Sequence, residues 1–139
     1  MTAYVDSPVV LPIILGQPGR FKGWARITSG VASALVEVEC LRTLDRLRLR
    51  TELRDQEFAL RREAVFRLVA EMEVVEPSPP VLARASQPFP APLGTPDAIH
   101  LATALIWREK GADDLVMATH DTPLATAARA CGLPVLGAQ

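Results

Sequence analysis

Four carboxylates in this chain stand among apolar neighbours rather than among other charges. Asp6 follows "AYV", where a first strand is expected to end. Glu39 falls on a helix expected to begin near Ser33. Asp97 lies in the first turn of "TPDAIHLATALIWREKG", and Asp121 follows "LVMATH" at the end of a late strand. A carboxylate removed from water without a partner is costly, and carboxylates brought together repel one another. A cation must therefore share such a site. Arg42 is the side chain expected to pair with the acids. The other kind of partner is a divalent ion: Mg²⁺ and Mn²⁺ both prefer oxygen ligands, and Mg²⁺ takes one or two carboxylates while keeping several waters. Asp97 has a partial local explanation. With Thr95 as N-cap and Pro96 at the first helical position, Asp97 faces the positive end of the helix, an effect of up to about 1 kcal/mol.

The elements that must position these residues alternate. "AYVDS" reads as a short buried strand and "PVVLPIIL" as a first helix with Pro8 in its opening turn. "GQPGRFKG" is a loop by its Gly and Pro content, and "WARITSG" is expected to hold a short second strand. Ser33 is expected to cap the helix "ALVEVECLRTLDRLRLR", in which Leu35, Val38, Leu41, Leu44 and Leu47 recur at helical spacing. "TELRDQEFALRREAVFRLVAEM" is a second amphipathic helix, forming with the first either a hairpin or one bent run. "EVVEP" is a strand, "SPPVLARASQ" a short helix and "PFPAPLGTP" a proline-rich loop. The Asp97 helix stops near Gly111. A strand "DDLVMATHD", a helix ending at Gly132 and a last strand "LPVLG" complete the chain. Strands alternating with helices predict an α/β sandwich with a largely parallel sheet, and such sheets place their sites at the carboxyl ends of the strands.

Composition limits the classes available. The 139 residues fit one domain spanning 1–139, with 49% apolar residues and a formal net charge of −1, so no global positive field marks the chain for nucleic acid. From Arg42 to Arg67, however, eight arginines stand against five carboxylates. That pattern fits either a solvated face of ion pairs or a basic wall beside a phosphate-rich ligand. Cys40 and Cys131 have no metal-binding or redox spacing and read as small core residues. No apolar run approaches the roughly 20 residues of a membrane helix, and no secretory signal pattern opens the chain. A reduced, cytoplasmic protein without a membrane span is expected.

"YVDS", "SALVEVECLRTL", "TPDAIHLATAL" and "MATHDTPLATAARACGLPVLG" together resemble a PIN-domain ribonuclease and, more narrowly, the VapC toxins of bacterial toxin–antitoxin pairs. The resemblance covers essentially the whole chain. It implies a PIN-like three-layer sandwich with a mainly parallel central sheet, a Mg²⁺- or Mn²⁺-dependent endoribonuclease, a homodimer and a cognate antitoxin as partner. Carried over position by position, the family's acids match Asp6, Glu39, Asp97 and Asp121. Glu37 competes for the helical place but points to a different face; the register S-x-L-x-x-x-E-x-x-R, anchored by Ser33 and Arg42, favours Glu39. The chain departs from the family at Pro8, which puts the turn after Asp6 and any contact from Ser7 in question.

The implied reaction is metal-assisted hydrolysis of an RNA phosphodiester. Asp6, Asp97 and Asp121 would ligate the ion directly or through water, and Glu39 would bind a metal-held water or a second ion. Ser7 and Thr119 read either as water-orienting hydroxyls or as plain turn and strand residues. A metal-activated water needs no histidine, so His100 and His120 are not expected to be catalytic, and Trp24 and Trp107 are expected to pack rather than stack on bases. Two other readings remain: a catalytically silent PIN-like binding module, and a receiver- or phosphatase-type α/β domain. The second lacks its signatures, since Asp6 is followed by "SP" rather than a D-x-D pattern and "THD" brings no lysine.

Overall fold

The computed structural model describes residues 1–18 and 21–137; Gly19 and Arg20, within the expected Gly16–Gly23 loop, lie outside them. Twelve elements follow in order. They are β1 (Thr2–Val5), α1 (Ser7–Ile14), a 3-10 turn (Trp24–Arg26), β2 (Ser29–Ser33), α2 (Leu35–Leu49), α3 (Asp55–Ala70), β3 (Glu73–Val75), α4 (Pro79–Ala85), α5 (Thr95–Glu109), β4 (Val116–Thr119), α6 (Thr122–Ala130) and β5 (Val135–Gly137).

The five strands form one sheet in the order β3-β2-β1-β4-β5, and every pair is parallel. A receiver-type domain has the order 2-1-3-4-5, so that alternative is set aside. β1 is central, with Tyr4 opposite Val31 on one side and Met117 on the other. Side chains alternate across a strand, and β1 feeds two cores. Ala3 and Val5 pack with Val9, Val36, Cys40, Leu44 and Val65 from α1, α2 and α3. Tyr4 packs with Leu101, Leu105, Leu124 and Ala128 from α5 and α6. The result is the expected three-layer α/β sandwich. The strands are short, and the inner three are buried toward their carboxyl ends, whereas the edge strands β3 and β5 are partly exposed. Among the described residues no helix is long and apolar enough to cross a membrane.

Three local expectations shift. Trp24–Arg26 is a 3-10 turn, and the second strand starts only at Ser29. Ser33 ends β2 rather than capping α2: Ala34 takes the cap position, although the Ser33 hydroxyl still accepts the Leu35 N–H at 3.1 Å. Gly94 is the N-cap of α5, so Thr95 and Pro96 take the first two helical places and Asp97 the third. The proline needs no intrahelical partner at either place, and the dipole argument for Asp97 survives the one-residue shift. Pro8 is accommodated in the first turn of α1, so the turn after Asp6 forms. α2 and α3 are separate helices, reversed at Thr51, whose φ is +57°.

The end of β5 closes tightly on the carboxyl edge of the sheet. Gly137 has φ +105°, and a Cβ there would fall onto the Phe21 ring and lie 2.9 Å from the Thr119 carbonyl oxygen. Gly137→Ala is therefore expected to lower stability by about 2 kcal/mol through strain and crowding together. Gly111→Ala, at φ +109° with nothing within 4 Å, incurs the backbone strain alone and should lose less. Urea denaturation midpoints of the two variants check the ranking.

Candidate active site

The strand order reverses between β1 and β4, and at such a switch point the carboxyl ends of neighbouring strands open a crevice. Asp6 follows β1 directly and Asp121 lies two residues beyond β4. Asp6 is only 3% exposed. Its Oδ2 accepts the Thr119 hydroxyl proton at 3.1 Å, and the same hydroxyl oxygen accepts the Asp121 N–H at 3.0 Å. Thr119 thus ties the two acids together, a role for its hydroxyl more specific than holding water. Asp121 caps α6, its Oδ1 accepting the Leu124 N–H at 2.8 Å. Asp6 Oδ1 is buried and has no hydrogen-bond partner among the described residues.

Glu39 reaches the same edge from α2. Its Oε1 lies 2.7 Å from His100 Nε2 on α5. His100 Nδ1 is 2.6 Å from the Tyr4 hydroxyl, whose oxygen accepts the Ser33 backbone N–H at 3.1 Å. Tyr4, Ser33 and His100 are all buried. His100 lies three residues after Asp97, on the same helical face.

The charges feel one another. Burial is the main reason that the Asp6 carboxyl is pushed up to about 6; Thr119 and the Val9 amide oppose the rise, and Asp97 adds to it. Asp97 is also raised, first by burial and then by repulsion from Asp121, with Glu39 adding to the rise. Burial, reinforced by Glu39 and Asp6, pushes the Cys40 thiol up to about 12, as an inert core residue requires. The four predicted acids therefore share one electrostatic neighbourhood. Among the described residues no three His, Cys, Asp or Glu side chains are arranged to hold a metal ion. The donor set nevertheless suits a hard divalent cation, since the acids offer oxygen alone, Asp6 Oδ1 is buried without a donor, and Mg²⁺ takes as few as one or two carboxylates.

Other expected participants lie elsewhere. Arg42 does not pair with the site acids: it binds Asp45 at 3.1 Å, with its side chain 62% exposed. Asp45, one turn on, is the nearer solvated carboxylate, while Glu39 Oε1 is engaged by His100. Arg48 shares Asp45 and Arg61 faces Glu57, so ion pairs occupy part of the arginine-rich surface, as the solvated reading expects. His120 is exposed and packs edge-on against Phe21 at 4.9 Å. Trp24 and Trp107 pack against the two cores. Sequence reasoning passed over Tyr4 and set His100 aside. The signal for both was positional: Tyr4 precedes Asp6 by two in an extended stretch, and His100 follows Asp97 by three in a helix.

The family model described as the PIN domain matches residues 3–130. No curated protein matches the chain. Among solved structures, FitAB bound to an IR36 DNA fragment is 18% identical, covering 98% of this chain and 94% of that one, with a TM-score of 0.68. A toxin–antitoxin complex from Klebsiella pneumoniae is 16% identical over 90% of each chain, with a TM-score of 0.64. PAE2754 from Pyrobaculum aerophilum is 16% identical over 97% of this chain and 83% of that one, with a TM-score of 0.59. At these identities the likeness is one of fold.

The raised Asp6 carboxyl ties stability to pH. From 3.8 unfolded to about 6 folded, the native state holds an extra proton across that interval. Its stabilising effect is complete below about pH 4 and is lost as pH rises through about 6. In chelator, wild-type stability measured relative to Asp6→Asn should therefore fall by about 3 kcal/mol between pH 4 and pH 7.5. Urea denaturation of both proteins across that range checks it; parallel profiles would refute the burial of a charged Asp6.

Proposed function

The chain belongs to the PIN-domain family, and from that membership we propose that it is a divalent-metal-dependent endoribonuclease, the toxin of a cytoplasmic toxin–antitoxin pair. The observation that carries the reading is Asp6: a buried carboxylate at the carboxyl edge of β1, with one oxygen unpartnered among the described residues and Asp97 repelling it. Holding such a group ionised at neutral pH is unfavourable unless a cation joins it. Asp6, Asp97 and Asp121 are the residues that would hold Mg²⁺ or Mn²⁺, with Glu39 beside them. When bound, the ion supplies an activated water and offsets the charge that grows on a phosphodiester.

The chain's own residues prepare that chemistry. Thr119 fixes Asp6 through Oδ2. The α6 cap engages one oxygen of Asp121. Glu39, held at Oε1 by His100, has a second oxygen with which to orient a water. The antitoxin rests on the structural neighbours, one of which is itself a toxin–antitoxin complex. Exposed Leu49, Leu60 and Phe66 on α2 and α3 give a homodimer or an antitoxin helix apolar surface to cover.

Purified chain incubated with RNA and Mn²⁺ or Mg²⁺ is expected to cleave it, to stop when chelator is added and to resume when metal is restored. Asp97→Asn should lower the rate roughly 100-fold or more, the scale of losing one electrostatic stabiliser of a transition state. Undiminished cleavage by a folded Asp97→Asn protein would overturn the assignment.

A further inference from the structure

Glu39 is reached by a chain of hydrogen bonds that starts at a backbone amide and passes through two buried rings. The Ser33 backbone N–H can only donate, and it donates to the Tyr4 oxygen. The phenol of Tyr4 is buried and carries one O–H proton to give. His100 Nδ1 lies 2.6 Å away. A neutral imidazole that accepts at Nδ1 carries its proton on Nε2, and Nε2 meets Glu39 Oε1 at 2.7 Å. An ionised carboxylate can only accept. Every link is thus a donor facing an acceptor. Thr103, whose hydroxyl also neighbours the phenol, gives its proton to the Ile99 carbonyl at 2.6 Å, so toward Tyr4 it can only accept.

We propose that Tyr4 and His100 are positioning residues. The chain running Ser33 to Tyr4 to His100 to Glu39 fixes the Nε2–H tautomer of His100 and through it the placement of the Glu39 carboxylate in the metal site. This role rests on the nuclease reading above, but the hydrogen-bond polarity beneath it does not. Metal-bound ligands elsewhere are oriented by such outer partners. Here the partner chain crosses from the strand core to the opposite helix layer, so the tautomer of one ring is set by a backbone amide two residues removed in the network.

The first test is long-range ¹⁵N spectroscopy of the histidine-labelled, metal-free chain at pH 7.5, with His120 as the internal reference. The wild type should show His100 protonated at Nε2 only, and Tyr4→Phe, which deletes one oxygen, should show a mixture of tautomers. The second is Mn²⁺ binding, measured with the metal alone. His100→Leu should weaken it about 10–100-fold, the range seen when a partner behind a metal ligand is lost. His100→Gln, which offers an N–H near the place of Nε2–H, should restore most of it. A proton on Nδ1 in the wild type would mean that Tyr4 donates to Thr103 instead and would overturn the proposal. So would a folded His100→Leu chain that binds Mn²⁺ as tightly as the wild type. A wild type that shows the Nε2–H tautomer yet binds no Mn²⁺ would overturn the metal-site reading, and the positioning role with it, while leaving the hydrogen-bond chain intact. The two failures are therefore distinguishable.

Discussion

The hydrogen bond between His100 and Glu39 joins helices that pack on opposite faces of the sheet. α2 contributes Val36, Cys40 and Leu44 to one core, whereas α5 contributes Leu101 and Leu105 to the other. The sheet stands between two such layers along the length of its strands. They can meet only past the ends of the strands. The 2.7 Å contact at the carboxyl edge is where that happens, and the site depends on it. Without it, Glu39 would be one more acid on a charged helix.

The same edge concentrates unfavourable electrostatics. Asp6 sits beneath the surface with an oxygen unpaired among the described residues, and Asp97 is raised by burial and by Asp121. Folding around a poorly compensated negative cluster lowers stability, and buried orphan groups of this kind are rare enough to require an explanation. The rest of the fold offsets the cost through two apolar cores served by one central strand. β1 needs only four residues to do so, because Ala3 and Val5 face one layer and Tyr4 the other. Tyr4 also carries polarity through the core: a phenol buried among leucines must satisfy its hydroxyl, and it does so by linking the Ser33 amide to His100.

Much of the fold was legible as pattern. Alternating strands and helices, the glycines after α5 and α6 and the apolar runs placed every helix, and errors were confined to boundaries: the cap of α5 moved by one residue and the second strand moved past the 3-10 turn at Trp24–Arg26. Such shifts are expected because propensity does not decide which of two adjacent residues takes the cap. The site was less evenly legible. The four acids stood out in the sequence because a carboxylate beside apolar residues violates the usual pattern. Arg42 was misplaced because local ion pairing is decided by a few ångströms of reach, and Asp45 one turn away was the easier partner. Tyr4 was passed over because it is an ordinary residue of a buried strand, and His100 was set aside because a metal-activated water needs no histidine.

What the sequence determined by itself was the set of residues that cannot be satisfied locally, since hydropathy and helix or strand period are properties of neighbours in the chain. What the tertiary structure alone decided was which of those residues find one another. Asp6 and Thr119 are 113 positions apart and His100 and Glu39 are 61 apart; their pairing follows from strand order and from helices wrapping opposite faces. Hydrogen bonds act over about 3 Å, and no short-range pattern in the chain encodes contacts at that separation.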